Sequence, residues 1–542
     1  MKIKSAITAG AVGILSLCLL AACGNKQQSS SKLVQWQQPG NLTTLDASKA
    51  TDNVSFGTLN NSNEGLTMSA KNNTIKLGVA KNYRVSSDGK TYTFNLRHSK
   101  WNNGQPVTAH DFVYGWQRTV NPKTASQYSY LFDHVKNANQ IGENKAPISS
   151  LGVRADGDYK LVVSLTKPQS YFKYLIAMAP FYPQSKAIVD KYGQSYGTSS
   201  SSMLYNGPFK VTGWSGTNDS WKLIKNNNYW NAKNIKFNGV KFNVQKDSNT
   251  ALNQYSTGDL DLTNLVGKQQ VGEFKNSKEL HNLNMASTFY IEMNEKKNPI
   301  FKNQNIRKAI SLAIDRNQFT KNILGDGSKP AQGYVSPGMP KHNGKTFVQD
   351  AGTNIGVSYN LNDAKKLWNK GLKETGQNSV DITLLSDDTD NGRSTTEFLQ
   401  TSLEKLPGLS ITSQNIPPKS RISRAQSGQF DMVINSWVAD FPDPISFLSM
   451  FVSNGSYNNG KWSNSKYDAL VNNAEGTDAN NSNKRWEDLV NAEKTLMNDQ
   501  GIVPIYYPVK PTAIKPRISD IQFFPTGSPY DLRNTHIDND KH

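Results

Sequence analysis

The sequence predicts an α/β protein of more than one domain, and three observations predict it. Between residues 380 and 436 the pattern runs strand (381–385), helix (395–405), strand (409–415), helix, strand (430–436). That βαβαβ order implies a parallel sheet covered on both faces. Elsewhere, stretches of period two alternate with stretches of period 3.6, so strands and helices are interleaved along the chain. The 542 residues also exceed one compact core, at about 150 residues per domain. Composition agrees: aromatics make up 10% of the chain and hydrophobic residues 36%, too rich for a disordered chain. No G-X-Y period, sustained heptad or 20–50-residue repeat is present.

The first element is a targeting segment. Lys2 and Lys4 form a positive start, and 6–20 is an apolar stretch too short to span a bilayer comfortably. Leu20-Ala21-Ala22-Cys23-Gly24 resembles the bacterial lipobox, in which the cysteine receives a lipid and cleavage falls just before it. An ordinary secretory cleavage site is the alternative, but it gives no reason for a cysteine at this position. Two acyl chains on Cys23 would suffice for stable anchoring, with 23–32 as a polar tether. Removing 22 of the 542 residues leaves 520, and loss of Lys2 and Lys4 takes the net charge from +18 to +16. Of the two cysteines, Cys18 leaves with the signal and Cys23 carries lipid, so no disulfide is expected. The basic residues are scattered, which reads as a solvated surface rather than a nucleic-acid footprint. Beyond the signal, no segment approaches 18 apolar residues.

The remaining elements follow in order. Residues 91–97 alternate with period two after the turn Ser87-Asp88-Gly89-Lys90, the mark of a hairpin arm. Residues 161–165 and 222–225 read as further strands. Residues 305–316 put Ile306, Ala309, Ile310 and Ala313 on one helical face. Residues 362–375 do the same with Ala364, Leu367, Trp368 and Leu372, stopped by Gly376.

Catalytic signatures are nearly absent. There is no H-E-x-x-H and no G-x-S-x-G. Residues 338–346 have five residues between the glycines where a phosphate loop has four, and read as a Pro/Gly loop. Asp387-Asp388-Thr389-Asp390-Asn391-Gly392 departs from a calcium loop at Thr389 and at Phe398, so it reads as a strand-to-helix turn. The seven histidines show no ligand spacing, and no metal or cofactor is expected. An enzyme is not expected.

Trp101-Asn-Asn-Gly104-Gln-Pro106-Val-Thr108-Ala-His-Asp111-Phe112 combines a turn with a capping box for a helix running to about Val120. With 87–94 before it, this stretch resembles the signature of the bacterial oligopeptide-binding proteins, extracellular solute-binding proteins of family 5 that serve ABC importers. The resemblance continues in order through Glu64-Gly65-Leu66, Asn206-Gly207-Pro208-Phe209 with Trp214, and Asn226-Asn227-Asn228-Tyr229-Trp230. It extends through Phe289-Tyr290-Ile291-Glu292-Met293-Asn294, Trp437-Val-Ala-Asp440-Phe-Pro-Asp443-Pro444 and Ile502-Val503-Pro504-Ile505-Tyr506-Tyr507. It departs at Ala47, where the family usually has proline after the aspartate.

The resemblance implies a two-lobe, periplasmic-binding-protein-like clamp (type II, Venus-flytrap) with an additional third domain. Lobe I would comprise 33–75, 200–288 and 506–542, the additional domain 76–199 and lobe II 289–505. Two crossing strands, near Tyr290 and Ile505, would be the hinge. It implies a monomer on the outer face of the cell membrane that captures oligopeptides and passes them to an ABC permease, with no nucleic-acid partner. Asp440 matches the family's aspartate for the peptide ammonium; as a local alternative it could cap the helix near Ile445, though Asp443 is better placed. Trp437 would line the cleft or belong to the core. Ser436 and Val438 would offer backbone groups, and Thr263, Asn264, Tyr130 and Tyr290 complete the expected contacts. The basic residue some relatives carry for the ligand carboxylate is replaced here by Ile434, leaving Lys419, Arg421, Arg424, Arg393 and His342 as substitutes. The same clamp around a non-peptide solute, or a surface adhesin or chaperone, are the alternative functions.

Overall fold

The computed structural model describes residues 33–352, 354–455 and 457–538. The signal segment, Cys23 and the tether lie outside the described residues. Three larger sheets organise the described chain, beside three two-stranded ones. The first has seven strands in the order Leu280–Asn284, Val509–Ile514, Leu262–Asn264, Val34–Gln38, Gly239–Val244, Ser220–Lys225, Phe209–Thr212. Alternation buries Val34 and Trp36, and Trp221 and Phe242 pack beside them with ring centroids 5.1 Å apart.

The second sheet has six strands, ordered Lys329–Pro330, Val503–Tyr507, Ser287–Met293, Met432–Val438, Val380–Asp387, Leu409–Ile416. The βαβαβ unit is present, with Val380–Asp387 parallel to both Leu409–Ile416 and Met432–Val438. Its first helix, Asp390–Leu403, starts five residues before the expected point because Thr389 Oγ1 accepts from Gly392 N–H at 3.1 Å. Helix Leu361–Thr375 ends at Gly376, whose φ of +70° is the left-handed cap a side chain would resist. It packs against Gln304–Leu312, which buries Ile306, Ala309 and Ile310. The continuous helix expected over 305–316 stops at Ala313 and restarts at Arg316 under an Asp315 cap. The cause is the buried Arg316 guanidinium, which leaves the helix path to donate to the carbonyls of Pro504 (2.7 Å) and Val357 (2.8 Å).

The third sheet is antiparallel, in the order Ala80–Val85, Thr91–Leu96, Lys160–Ser164, Val153–Ala155, with the expected hairpin as its first pair. Helix Ala109–Val120 covers it and buries Phe112 and Trp116. Asp111 reaches back to accept from the Thr108 amide at 2.8 Å. The segments resembling the family signature converge here and nearby as scaffold. The buried Glu64 carboxylate accepts from Tyr229 Oη and from Trp230 Nε1 (2.7 Å), and Asn206 brackets the Glu64 backbone.

The chain passes from the first sheet to the second at 285–286 and returns at Pro508. Both passages fall near Tyr290 and Ile505, as expected, and the two residues lie within the strands that cross. Tyr290 is paired on both sides, to Asn435 and to Pro504. At the first passage the Ala286 amide donates to the Pro525 carbonyl at 2.9 Å and the Ala286 carbonyl accepts from the Ala439 amide at 2.8 Å.

Candidate ligand-binding site

Two cavities carry candidate residues in their walls. The first, of about 270 Å³, is lined on one side by Tyr130, His134 and Tyr171 and on the other by Trp437, Asp440 and Glu475. Strand Met432–Val438 delivers Trp437 and, two residues past its end, Asp440. Asp440 is recessed. Tyr130 Oη donates to its Oδ2 at 2.7 Å, Tyr128 Oη to its Oδ1 at 3.4 Å, and Ser446 Oγ accepts from its backbone N–H at 2.9 Å. Burial pushes its pKa from 3.8 to about 6, against the opposing effect of the two tyrosine hydrogen bonds. Among the described residues, no lysine or arginine acts on it. Helix capping falls to Asp443, whose Oδ1 accepts from Ile445 N–H (3.0 Å) while Arg485 grips both its oxygens.

The second cavity, of about 500 Å³, has a different chemistry. Its wall carries the amides of Asn264, Asn282 and Asn284, the rings of Trp36 and Phe523 and, among the described residues, one charged side chain, Lys510. Lys510 is accessible to solvent, yet desolvation by the cavity wall pushes its pKa below the ordinary lysine value with no carboxylate acting on it. A small third cavity, of about 20 Å³, shares Asp440 and Phe441 with the first and Asn73 and Phe524 with the second.

The candidate residues therefore divide. Asp440, Trp437 and Tyr130 meet at the first cavity, and Asn264 lines the second. Thr263 is buried beneath it, its hydroxyl donating to Gln37 Oε1 at 2.8 Å. Tyr290 is buried among Tyr334 and Phe451 and lines neither cavity. Ser436 and Val438 pair with Phe289 and Ser287 on one edge. On the other edge the ladder to Val380–Asp387 ends at Val433, so 434–438 present an open strand edge. Of the substitutes considered for the ligand carboxylate, Arg421 is spent on Asp387 and Asn435, and Arg424 on Gln414. Arg393 bonds the Asp388 carbonyl, and His342 bonds Asn483 and stacks on Trp486. Sequence reasoning missed Tyr128, Glu475 and Lys510. For Lys510 a signal existed: 510 and 512 alternate onto one face after the return crossing.

Residues 74–459 match the bacterial extracellular solute-binding proteins, family 5, middle region. The chain belongs to this family. A dipeptide-binding protein of Lactococcus lactis subsp. cremoris (strain MG1363) is 37% identical over 99% of this chain and 100% of its own length. The periplasmic oligopeptide-binding protein OppA of Escherichia coli (strain K12) is 32% identical over 84% of this chain and 83% of its own. The structure of Listeria monocytogenes OppA bound to peptide superposes with a TM-score of 0.83 at 36% identity, covering 94% of this chain and 99% of that one. Family 5 membership makes the mixed α/β sheets described above those of a periplasmic-binding-protein-like fold. Among the described residues, this family 5 chain has no helix long and apolar enough to cross a membrane and no cluster of metal-ligating side chains.

Proposed function

We propose that this chain is the extracellular receptor of an ABC importer: it captures peptides between its lobes and hands them to a membrane permease, without cleaving them. The observation that carries the reading is Asp440, a recessed carboxylate with tyrosine donors and no cationic partner in the described chain, in a protein 37% identical to a dipeptide-binding protein. A peptide ammonium is the counter-charge that such a site would take. The open edge at 434–438 supports capture of extended backbone by strand-like pairing, which leaves ligand side chains free of stringent selection. Trp437 and Tyr130 wall the ammonium site, Ser436 and Val438 supply backbone groups, and Asn264 and Thr263 belong to the far side. Tyr290 supports the strand from beneath. The lobes, 33–75 with 200–288 and 506–542 on one side and 289–505 on the other, close as a population shift driven by contacts made in the closed form. The 76–199 domain contributes Tyr130. Cys23 anchors a monomer to the outer face of the membrane through lipid, with 23–32 as tether.

Mass spectrometry of the purified, unlipidated protein, native and then denatured, tests this. A ladder of peptides released on unfolding is expected; a single non-peptide mass would replace the peptide reading with another solute. The pH dependence is a second test. Only ionised Asp440 attracts an ammonium, and its pKa in the free protein is about 6. Affinity should be flat above pH 7 and fall below about 6 with a slope approaching tenfold per pH unit. Calorimetric titrations between pH 4.5 and 8 that show no such fall would detach Asp440 from the ligand.

A further inference from the structure

The second cavity stands apart from the ammonium site. It shares no lining residue with the first cavity, and none of its lining residues belongs to the open edge at 434–438. Its volume of about 500 Å³ lies within the range of about 300–1,000 Å³ that small-ligand pockets occupy. The polar part of its wall is mostly amide. Gln38, Asn53, Asn72, Asn282 and Asn284 meet there, and among the described residues none of these side chains makes a hydrogen bond. Gln38, at the end of strand Val34–Gln38, is only 7% exposed. An amide so nearly buried is costly to leave unpaired, and the cavity beside it is where a ligand would fill it. Aromatic rings complete the wall. Trp36 lies with its ring centroid 4.6 Å from Tyr530 and 6.0 Å from Phe523, and all three line the cavity.

These two surfaces together select a chemistry. An amide offers a donor and an acceptor without charge, and a hydroxyl does the same, so a wall of free amides is matched by a ligand dense in hydroxyls. A pyranose ring is such a ligand, and its C–H faces suit the electron-rich faces of aromatic rings. A peptide segment of equal size carries far fewer groups that both donate and accept. Lys510, the one charged side chain among the described lining residues, adds N–H donors for ring hydroxyls. We propose that the second cavity is a saccharide site for one or two pyranose rings, held by the amides against the Trp36–Tyr530 wall, in addition to the peptide at Asp440. The inference goes beyond the peptide reading and does not depend on it.

The test titrates the unlipidated mature chain with glucose, N-acetylglucosamine, maltose and cellobiose, read by saturation-transfer NMR and calorimetry. At least one of the four should bind. Asn282→Ala combined with Asn284→Ala should weaken that binding by about tenfold or more, as should Gln38→Met, which keeps the side-chain volume and removes the amide. Asn282 and Asn284 are exposed, so the double variant should fold, and a thermal melt checks both proteins. Asp440→Asn should leave sugar affinity in place. Binding of none of the four sugars, or binding that the amide variants do not weaken, would overturn the proposal. So would loss of sugar binding in Asp440→Asn, which would put the sugar in the first cavity. Peptide capture is measured on the same samples: sugar binding without peptide capture would sink the peptide reading alone, and peptide capture without sugar binding this proposal alone.

Discussion

Asp440→Ala is expected to weaken peptide binding by about 2–5 kcal/mol while leaving the protein folded, because the ligand ammonium would enter a recessed site without its counter-charge. The same carboxylate carries a cost in the free protein. Burial raises its pKa from 3.8 to about 6, so the folded chain holds this proton more tightly than the unfolded chain does. Stability from this group is therefore greatest below pH 4 and declines as pH rises to about 6. Above that, the ionised form destabilises the unliganded protein by about 1–3 kcal/mol. Asp440→Asn should accordingly bind poorly and yet melt higher than the wild type at pH 7 when empty. The gain should vanish below pH 4. Calorimetry and thermal unfolding on the same samples check both halves; unchanged affinity would remove Asp440 from the site. The pairing of lost affinity with gained stability separates a binding residue from a structural one, whose removal would lower both.

Arg118→Leu should destabilise the fold by about 3–5 kcal/mol, seen as a lower denaturant midpoint at constant slope. Asp46 has 1% of its side chain exposed, and Arg118 donates to both its carboxylate oxygens at 2.7 Å. Without the guanidinium, a buried charge keeps mainly the Ser48 amide at 3.0 Å. The pair joins the segment leading out of Val34–Gln38 to helix Ala109–Val120, so its loss loosens the third sheet's attachment to the first. Asp46→Asn combined with Arg118→Leu should recover part of the loss, since the uncompensated charge is then gone. A shift under about 1 kcal/mol in the single variant would mean that solvent reaches Asp46 as readily as the guanidinium does.

Asp46 also shows how far the sequence could be read. It stands in a motif that resembles the family's, with alanine in place of the usual proline after it, and nothing local names its partner. That partner lies 72 residues away. The βαβαβ unit was legible because each strand and helix has its own period and the connections are short enough to force parallel pairing. The 305–316 helix was legible as a face but not as a length. Its break depends on carbonyls of Val357 and Pro504 that only the folded chain brings to Arg316. Asp440 could be singled out through the ordered motifs around it, and the better cap at Asp443 argued against the local alternative.

By itself, then, the sequence determined the element types, the caps at Thr108 and Gly376, the parallel unit of the second sheet, the family resemblance and the aspartate to examine. The tertiary structure decided the environment of that aspartate, since Tyr130 approaches it across 310 residues of chain. It also decided where the chain changes sheets, and that Lys510 rather than Arg421 or His342 stands in a cavity wall. The physical reason is one of range. Periodicity and capping are set by neighbours a few residues apart and are written in local spacing. Desolvation, counter-charge and open strand edges are set by whichever distant segments close around a group, and local spacing carries no record of them.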